Sequence, residues 1–231
     1  DITPDEWVAL CNPRKEEEHD YRDRFVSRRT PFPAEEGHGQ LEGAARCLAE
    51  LITDVVLVDR LREVRVLQRF HRLKMAKPIP ANLDPKPKFL PAVEVFGEGF
   101  FIRFDEEALS EWEGDPQVRA RSDRLAGRRT DAPHLKWLEE PTPRYVLLHT
   151  FAHLLLRQTA FEAGYSTSAL RERLYVTRSD GGPAMAGILI YTAAGDSEGT
   201  LGGLARLGQA DRLVPLIGAA LASAQWCSFD P

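Results

Sequence analysis

The spacing of apolar residues changes along the chain and predicts both helices and strands. Between 41 and 53, apolar residues recur three or four positions apart, which indicates a short amphipathic helix. The next segment, 55–67, is rich in β-branched residues with charged residues between them, and this indicates a strand. Because no internal repeat and no regular alternation of strands and helices follows, we predict an α+β protein with a mixed sheet.

The clearest helix signal begins at Thr142 or Pro143 and ends at Gly164. Threonine is a good N-cap, proline fits the first helical turn, and glycine fits the position after the last turn. Apolar residues lie on almost every side of the segment between Val146 and Phe161. We therefore predict a buried central helix.

A β-hairpin is predicted between 93 and 104. Two runs rich in apolar and aromatic residues flank Gly97, Glu98 and Gly99, and glycine readily adopts the backbone conformations of a tight turn. Asp105 is then expected to cap a new helix, because aspartate is a preferred N-cap residue.

That helix is expected to end near Gly114, and a charged segment follows it. Residues 117–129 include five arginines and few apolar residues, so they form either an exposed helix or a linker. The remaining predicted elements are a short helix from Ser166 or Ser168 to about Arg173, core strands at 174–177 and 186–192 around a turn at 179–182, and two terminal helices separated near Gly208.

Composition divides the chain into three segments. Residues 1–40 are charge-dense and are expected to form an irregular, partly helical arm, while 41–130 form an α+β segment that contains the hairpin. A proline-rich connection at 77–91 is expected to be extended and weakly ordered. Residues 131–231 form the third segment, which carries most of the motifs described below.

The bulk composition is that of an ordinary globular protein: 231 residues, 43% hydrophobic, with a net charge of -5. That charge argues against a protein that coats DNA uniformly but allows a local basic surface. We find neither an apolar run of the roughly 18–20 residues that a membrane helix requires nor a signal-peptide pattern. Three widely spaced cysteines do not indicate a disulfide framework, so we expect a cytoplasmic protein without membrane partners.

A basic belt with Glu63 as its single acidic residue lies between 60 and 77. Its members are Arg60, Arg62, Arg65, Arg69, Arg72, Lys74 and Lys77. Such a belt could contact a phosphate backbone. A solvated surface, or one that pairs with an acidic partner, explains it equally well, and both interpretations stay open.

His149 and His153 are four residues apart on the predicted central helix, so their side chains share one face. This is the spacing by which a helix offers two imidazoles to a metal. The glutamate of an HExxH zinc motif is missing, and the sequence shows no third ligand. We therefore expect both histidines to hydrogen-bond within the core, one of them to the loop at Asp196.

A glycine-rich segment is predicted to join a core strand to a helix. Its notable residues are Asp196, Ser197, Glu198, Gly199, Gly202 and Gly203. Such a turn can bind phosphate through backbone N–H groups, but this one lacks the P-loop lysine and the GxGxxG spacing. We expect Asp196 or Ser197 to cap the helix and the two later glycines to permit close packing. A carboxylate pair of Asp196 and Glu198 is a weaker alternative.

Cys227 follows Trp226 close to the last residue of the sequence. It is interpreted either as a small buried apolar residue or as the first ligand of a zinc site. The remaining ligands of such a site are not in this sequence.

Several motifs occur together in one order. They are segments 61–64, 92–100, 147–158, 162–166, 170–173, 187–192, 196–204 and 226–227. As a set, the later motifs resemble a conserved domain of unassigned function found at the C-terminus of some bacterial DEAD/DEAH helicases and in stand-alone helicase partners. The two upstream segments are similar to the DrmB family of the DISARM anti-phage system.

The resemblance implies a cytoplasmic defence protein that partners a DrmA-like helicase and helps it to engage foreign DNA. It also implies a cysteine-rich, zinc-binding tail just after Trp226 and Cys227, so we expect no cofactor within this chain and a fragment that stops before that tail. The sequence has neither a GxxxxGK[ST] motif nor a DExH box. ATPase activity is therefore expected in the helicase, and the chain is expected to be non-catalytic.

Two other hypotheses remain. The first is a metal-dependent hydrolase or nuclease that uses His149, His153, Asp196 and Glu198. The second is a structural platform that makes no contact with DNA.

Overall fold

The protein is described from a computed structural model. The structure describes residues 3–13, 25–32, 41–71, 77–82, 88–132, 134, 137–166, 168–176, 184–192 and 202–225. The helices within these ranges are α1 (Thr3–Cys11), α2 (Gly43–Glu50), α3 (Glu106–Glu113), α4 (Pro116–Asp131), α5 (Pro143–Ala163), α6 (Gly203–Arg206) and α7 (Ala210–Ala224). The strands are β1 (Phe25–Thr30), β2 (Ile52–Val66), β3 (Arg69–Phe70), β4 (Ile79–Pro80), β5 (Ala92–Phe104), β6 (Leu170–Val176) and β7 (Ala186–Thr192).

Five of the strands form one antiparallel sheet in the order β1-β2-β5-β7-β6. Strand β5 lies at the centre, and between Gly99 and Arg103 it pairs with β2 on one edge and β7 on the other. Strands from both the 41–130 and the 131–231 segments therefore share this sheet. The predicted α+β class is confirmed, but the sheet is antiparallel throughout rather than mixed.

Helices cover both faces of the sheet unequally. On one face, α5 and α7 contribute Phe151, Leu155 and Ile217 to a large core with Phe100 and Ile190 of the strands. The alternation of side chains along each strand sends the intervening residues to the opposite face.

That opposite face is covered by α1. Its Trp7 packs edge-on against Phe101, with ring centroids 5.6 Å apart, and also contacts Tyr175. The arm at 1–40 was predicted to be irregular and partly helical; α1 agrees with its helical part, whereas the edge strand β1 was not predicted. Strand β1 depends on pairing with the distant β2, which local spacing does not reveal.

Helix α5 has the ends that its sequence predicts. The Thr142 side chain accepts a hydrogen bond from the Tyr145 N–H, and Gly164 ends the helix with a φ of 68°. Its first turn is also fixed to α3, because buried Arg144 donates to Glu113 and Glu106 at 2.8 Å. The predicted Asp105 cap is likewise confirmed, and 117–129 lie in α4, an exposed helix rather than a linker.

Two local predictions are wrong. The predicted hairpin at 93–104 is the single strand β5, and its supposed turn residues Gly97, Glu98 and Gly99 lie inside it. The short helix predicted to end near Arg173 is replaced by β6, which pairs along its whole length with β7. In both places long-range strand pairing overrides the local turn and capping signals.

Of the remaining local predictions, some are confirmed and one concerns residues that the structure does not describe. Strands at 55–67 and 186–192 and terminal helices that separate near Gly208 are confirmed. The predicted turn at 179–182 lies outside the described residues. Within the proline-rich connection, Ile79 and Pro80 pair with β3 in a second, two-stranded sheet.

No described helix combines the length and the apolar character that crossing a membrane would require.

Substitution of Gly99 tests how closely β7 packs against the central strand β5. A Cβ atom there would meet the Ile190 carbonyl oxygen and lie 2.8 Å from Tyr191 Cα. We expect Gly99→Ala to lower the free energy of unfolding by about 1–3 kcal/mol or more, because it forces two paired strands apart. Urea denaturation followed by circular dichroism measures this.

Gly127→Ala is the matched control, since a Cβ on that residue of α4 meets nothing within 4 Å. It should raise stability by about 0.5–1 kcal/mol through helix propensity. Equal effects of the two substitutions would contradict the close approach of β7 at Gly99.

Candidate functional site

Three potential metal ligands meet where α5 packs against the edge strand β6. The Nε2 atoms of His149 and His153 are 2.9 Å apart, and Glu172 Oε1 lies 3.3 Å from the first and 3.4 Å from the second. In the described part of the chain, this is the one group of three or more histidine, cysteine or acidic side chains whose ligand atoms converge.

The fold explains why Glu172 reaches the histidines. Along β6, Leu170 and Leu174 pack into the core beneath α5, whereas Tyr175 packs on the α1 side. Side chains alternate in a strand, so Glu172 points to the same side as the two leucines. It meets α5 on the face that carries the i, i+4 histidine pair.

Burial affects the histidines differently. The His149 side chain is 39% exposed, whereas that of His153 is 60% exposed. Partial burial lowers the pKa of His149 and outweighs the opposing effect of Glu172. Lowering this pKa favours the neutral imidazole, which is the form that binds metals.

Tyr145 adjoins the cluster one turn before His149, with ring centroids 5.3 Å apart. Burial, followed by the charges of Glu139 and Glu172, raises the pKa of its hydroxyl. The phenol therefore stays neutral to higher pH than an exposed tyrosine would.

These positions correct the interpretation of the histidine pair. The two rings share a face of the helix, as predicted, but they are not core residues, because both are substantially exposed. The predicted contact with Asp196 lies outside the described residues. Glu172 was missed because it is 19 positions beyond His153 in a segment predicted to be helical.

Glu98 is a second important residue that sequence analysis missed, and its role is structural. It is fully buried at 0% exposure in β5. Its carboxylate accepts hydrogen bonds from the N–H of Gly202 and, at 2.9 Å, from that of Leu204. The Tyr165 hydroxyl donates to it at 3.4 Å, and burial followed by this carboxylate raises the pKa of Tyr165.

The start of α6 is thus capped from a distant strand. Gly202 and Gly203 are the described residues of the glycine-rich segment, and Glu98 binds the N–H groups that an anion would otherwise use. The other notable residues of that segment, Asp196, Ser197, Glu198 and Gly199, lie outside the described residues. Their predicted capping and carboxylate roles stay predictions.

The basic belt begins on a two-stranded extension of the sheet, formed by residues 62–66 of β2 and 92–96 of β5, which we name the β2–β5 ribbon. Arg62 lies opposite Phe96 and Arg65 opposite Val93, so the two arginines face opposite sides of the ribbon. Each is paired with a carboxylate, Arg62 with Glu94 at 2.8 Å and Arg65 with Glu63.

The other belt residues are dispersed. The Arg60 guanidinium lies 4.5 Å from the centre of the Phe96 ring. Arg69 in β3 and Lys77 are exposed, and Arg72 and Lys74 lie outside the described residues. The belt therefore does not form one continuous face among the residues that the structure describes.

A more uniform cationic surface lies on α4. Arg121, Arg124 and Arg128 follow the spacing i, i+3, i+7, which places them on one side of the helix, and all three are exposed. On another side of α4, buried Ser122 bonds the Pro141 carbonyl oxygen. This helix contains five arginines and two aspartates.

One family model and one curated relative match this chain. Residues 151–230 match the family model described as MZB, the MrfA Zn-binding domain. The chain is also 38% identical, over 194 residues, to the DISARM protein DrmB of Bacillus paralicheniformis. The predicted resemblance to DrmB is confirmed.

The aligned region covers 77% of this chain and 33% of that relative. The chain thus spans about a third of the length of the curated protein that it matches.

The description of the matched family names zinc, so the donor atoms of this chain can be compared with what zinc requires. Two imidazole nitrogens and a carboxylate oxygen are ordinary zinc ligands, and His153 and Glu172 lie inside the matched residues. The cluster therefore fits the chemistry of the ion. Cys227 lies outside the described residues, and its role as a ligand stays a prediction.

Glu98 provides a test of the capped α6. Glu98→Gln keeps the size of the side chain but replaces one acceptor oxygen with a donor group that faces an N–H. We expect a loss of about 1–3 kcal/mol in the free energy of unfolding, because a buried donor loses its partner. Chemical denaturation measures it.

Glu94→Gln on the β2–β5 ribbon is the comparison, since that carboxylate is 39% exposed in its pair with Arg62. It should cost no more than about 1 kcal/mol. If Glu98→Gln proved as mild, the carboxylate would not be holding α6.

Proposed function

We propose that this chain is part of a non-catalytic subunit of an anti-phage defence complex, which works with a helicase and helps it to engage foreign DNA. The observation that carries the proposal is the 38% identity to DISARM DrmB over most of the chain. The sequence has no nucleotide-binding P-loop, so ATP hydrolysis is assigned to the helicase.

The α4 surface supports the DNA-binding part of this proposal. Three exposed arginines on one side of a helix can each approach a phosphate, and release of counterions from DNA then favours binding. Arg119 and Arg124 bond backbone carbonyl oxygens of Glu113 and Ala120, so these guanidiniums are held without a carboxylate in those contacts. The α4 surface therefore provides positive charge within a chain whose net charge is -5.

The β2–β5 ribbon is a second, weaker candidate contact. Its exposed apolar residues Val64, Val66 and Val93 lie among the charged ones. Arg62 and Arg65 would each have to leave a carboxylate before they could bind phosphate. We therefore assign the α4 surface the larger share of DNA binding.

Fluorescence anisotropy with a labelled duplex carrying a single-stranded overhang tests this assignment. The triple substitution Arg121→Glu, Arg124→Glu and Arg128→Glu should weaken binding at least about tenfold. It should also reduce the salt dependence by roughly one unit of slope for each phosphate that the protein no longer neutralises. Arg62→Glu with Arg65→Glu should have a smaller effect.

Arg46→Glu with Arg212→Glu is the control, because these arginines lie on α2 and α7 and already neighbour acidic residues. It should bind nearly as the unmodified protein does. An α4 variant that is folded and binds with unchanged affinity and salt dependence would remove the α4 surface from the proposal.

The helicase part has a separate test. Adding the protein to its helicase partner should give tighter and more salt-sensitive DNA binding than the helicase shows alone. Unchanged affinity of the mixture would contradict a role in DNA engagement and would favour a purely structural platform.

A further inference from the structure

With Glu172 ionised, the three close contacts among His149, His153 and Glu172 cannot all be hydrogen bonds. A neutral imidazole Nε2 either carries a hydrogen or accepts one. If His149 donates to His153, the lone pair of His153 faces the Glu172 oxygen at 3.4 Å; the reverse arrangement creates the same conflict for His149 at 3.3 Å. If both nitrogens carry hydrogens toward Glu172, two donors face each other across 2.9 Å.

A cation at the centre of these three atoms removes the conflict, because all three would then direct lone pairs at it. We propose that His149, His153 and Glu172 bind one zinc ion and leave a fourth coordination position open to solvent. The site is independent of the proposed DNA contacts, since none of its ligands belongs to the α4 surface or the β2–β5 ribbon.

The distances agree with tetrahedral zinc. Ligand bonds of about 2.0–2.2 Å at tetrahedral angles place neighbouring ligand atoms about 3.3–3.6 Å apart. The two nitrogen-to-oxygen separations, 3.3 and 3.4 Å, already have this value. The 2.9 Å between the two nitrogens would need to open by a few tenths of an ångström, which small ring rotations supply.

The three ligands are buried to different extents, as expected for an ion that solvent can approach from one side only. Glu172 is only 20% exposed, and its Oε2 is buried without a hydrogen-bond partner among the described residues. His153, at 60% exposure, leaves the opposite side accessible to a water molecule.

The ligand set also distinguishes this site from one built of cysteines. Of the cysteines in the described residues, Cys47 is exposed on α2 and Cys11 is half-buried at the end of α1, and neither belongs to the cluster. Among the described residues, the proposed ion would therefore have only nitrogen and oxygen ligands. It would also link α5 to β6, the next element along the chain.

X-ray absorption at the zinc edge tests the ligand shell in the unmodified chain loaded with one equivalent of zinc. We expect a shell of nitrogen and oxygen at about 2.0–2.1 Å. A shell dominated by sulfur at about 2.3 Å would place the ion on Cys227 or another cysteine and overturn the proposal.

Zinc titrations of variants test the individual ligands, with Cys227→Ser as the background so that the terminal thiol does not compete. His149→Gln, His153→Gln and Glu172→Gln should each weaken zinc binding by more than about 100-fold, because even outer-shell changes cost 10–100-fold. His134→Gln is the control, since that exposed histidine lies outside the cluster. Unchanged affinity in all three ligand variants would overturn the proposal.

Thermal melting separates loss of a ligand from loss of the fold. The zinc-free variants should keep the circular dichroism of the unmodified chain, while added zinc should raise the melting temperature of the unmodified chain and of His134→Gln only. An equal rise in the three ligand variants would count against the site.

The open fourth coordination position is tested with cobalt in place of zinc, because bound cobalt has a visible spectrum. Azide added to the cobalt-loaded protein should change its visible spectrum by replacing solvent. An unchanged spectrum at saturating azide would overturn the open fourth position.

Discussion

The central strand β5 and the buried carboxylate of Glu98 within it constrain much of the structure. From Gly99 to Arg103 the strand pairs on both edges, so its side chains enter the cores on both faces of the sheet. Glu98 lies just before this stretch, and a buried carboxylate is costly unless donors surround it. The backbone of Gly202 and Leu204 supplies those donors and thereby fixes the start of α6 against the sheet.

The histidine cluster follows from the same arrangement. Strand β7 pairs with β5 and carries β6 at the edge of the sheet, directly beneath α5. The register of β6 sends Glu172 toward the helix, while the hydrogen bonds of Arg144 fix the first turn of that helix. Two elements that are each held independently thus bring three ligand atoms together, and this preorganisation favours binding of an ion.

The cationic surfaces have a different physical basis. Arg121, Arg124 and Arg128 project from a helix that is joined to its neighbour through other residues, including Ser122. Their positive charge is therefore available for binding without any cost to the core. The belt arginines on the ribbon are paired with carboxylates, Arg62 with Glu94 on the neighbouring strand and Arg65 with Glu63 on its own strand. The clustering of basic residues along a sequence therefore overstates the charge that a partner would encounter.

Features that depend on neighbouring residues were predicted from sequence, and features that depend on distant ones were not. The caps of α5 at Thr142 and Gly164 and the cap at Asp105 depend on bonds within a few residues, and all three were identified. The α+β class and the resemblance to DrmB were also evident from spacing and motifs. The shared face of His149 and His153 needed only the helical period.

The roles of Gly99, Glu98 and Glu172 were decided only by the tertiary structure. Gly99 resembles a turn residue in sequence, but the close approach of β7 is what excludes a side chain there. Glu172 completes the histidine cluster from 19 positions beyond His153. Glu98 caps α6 although it is 106 positions before Leu204. No local pattern reports such pairs, because sheet register and burial, which bring them together, are set by contacts between segments far apart in sequence.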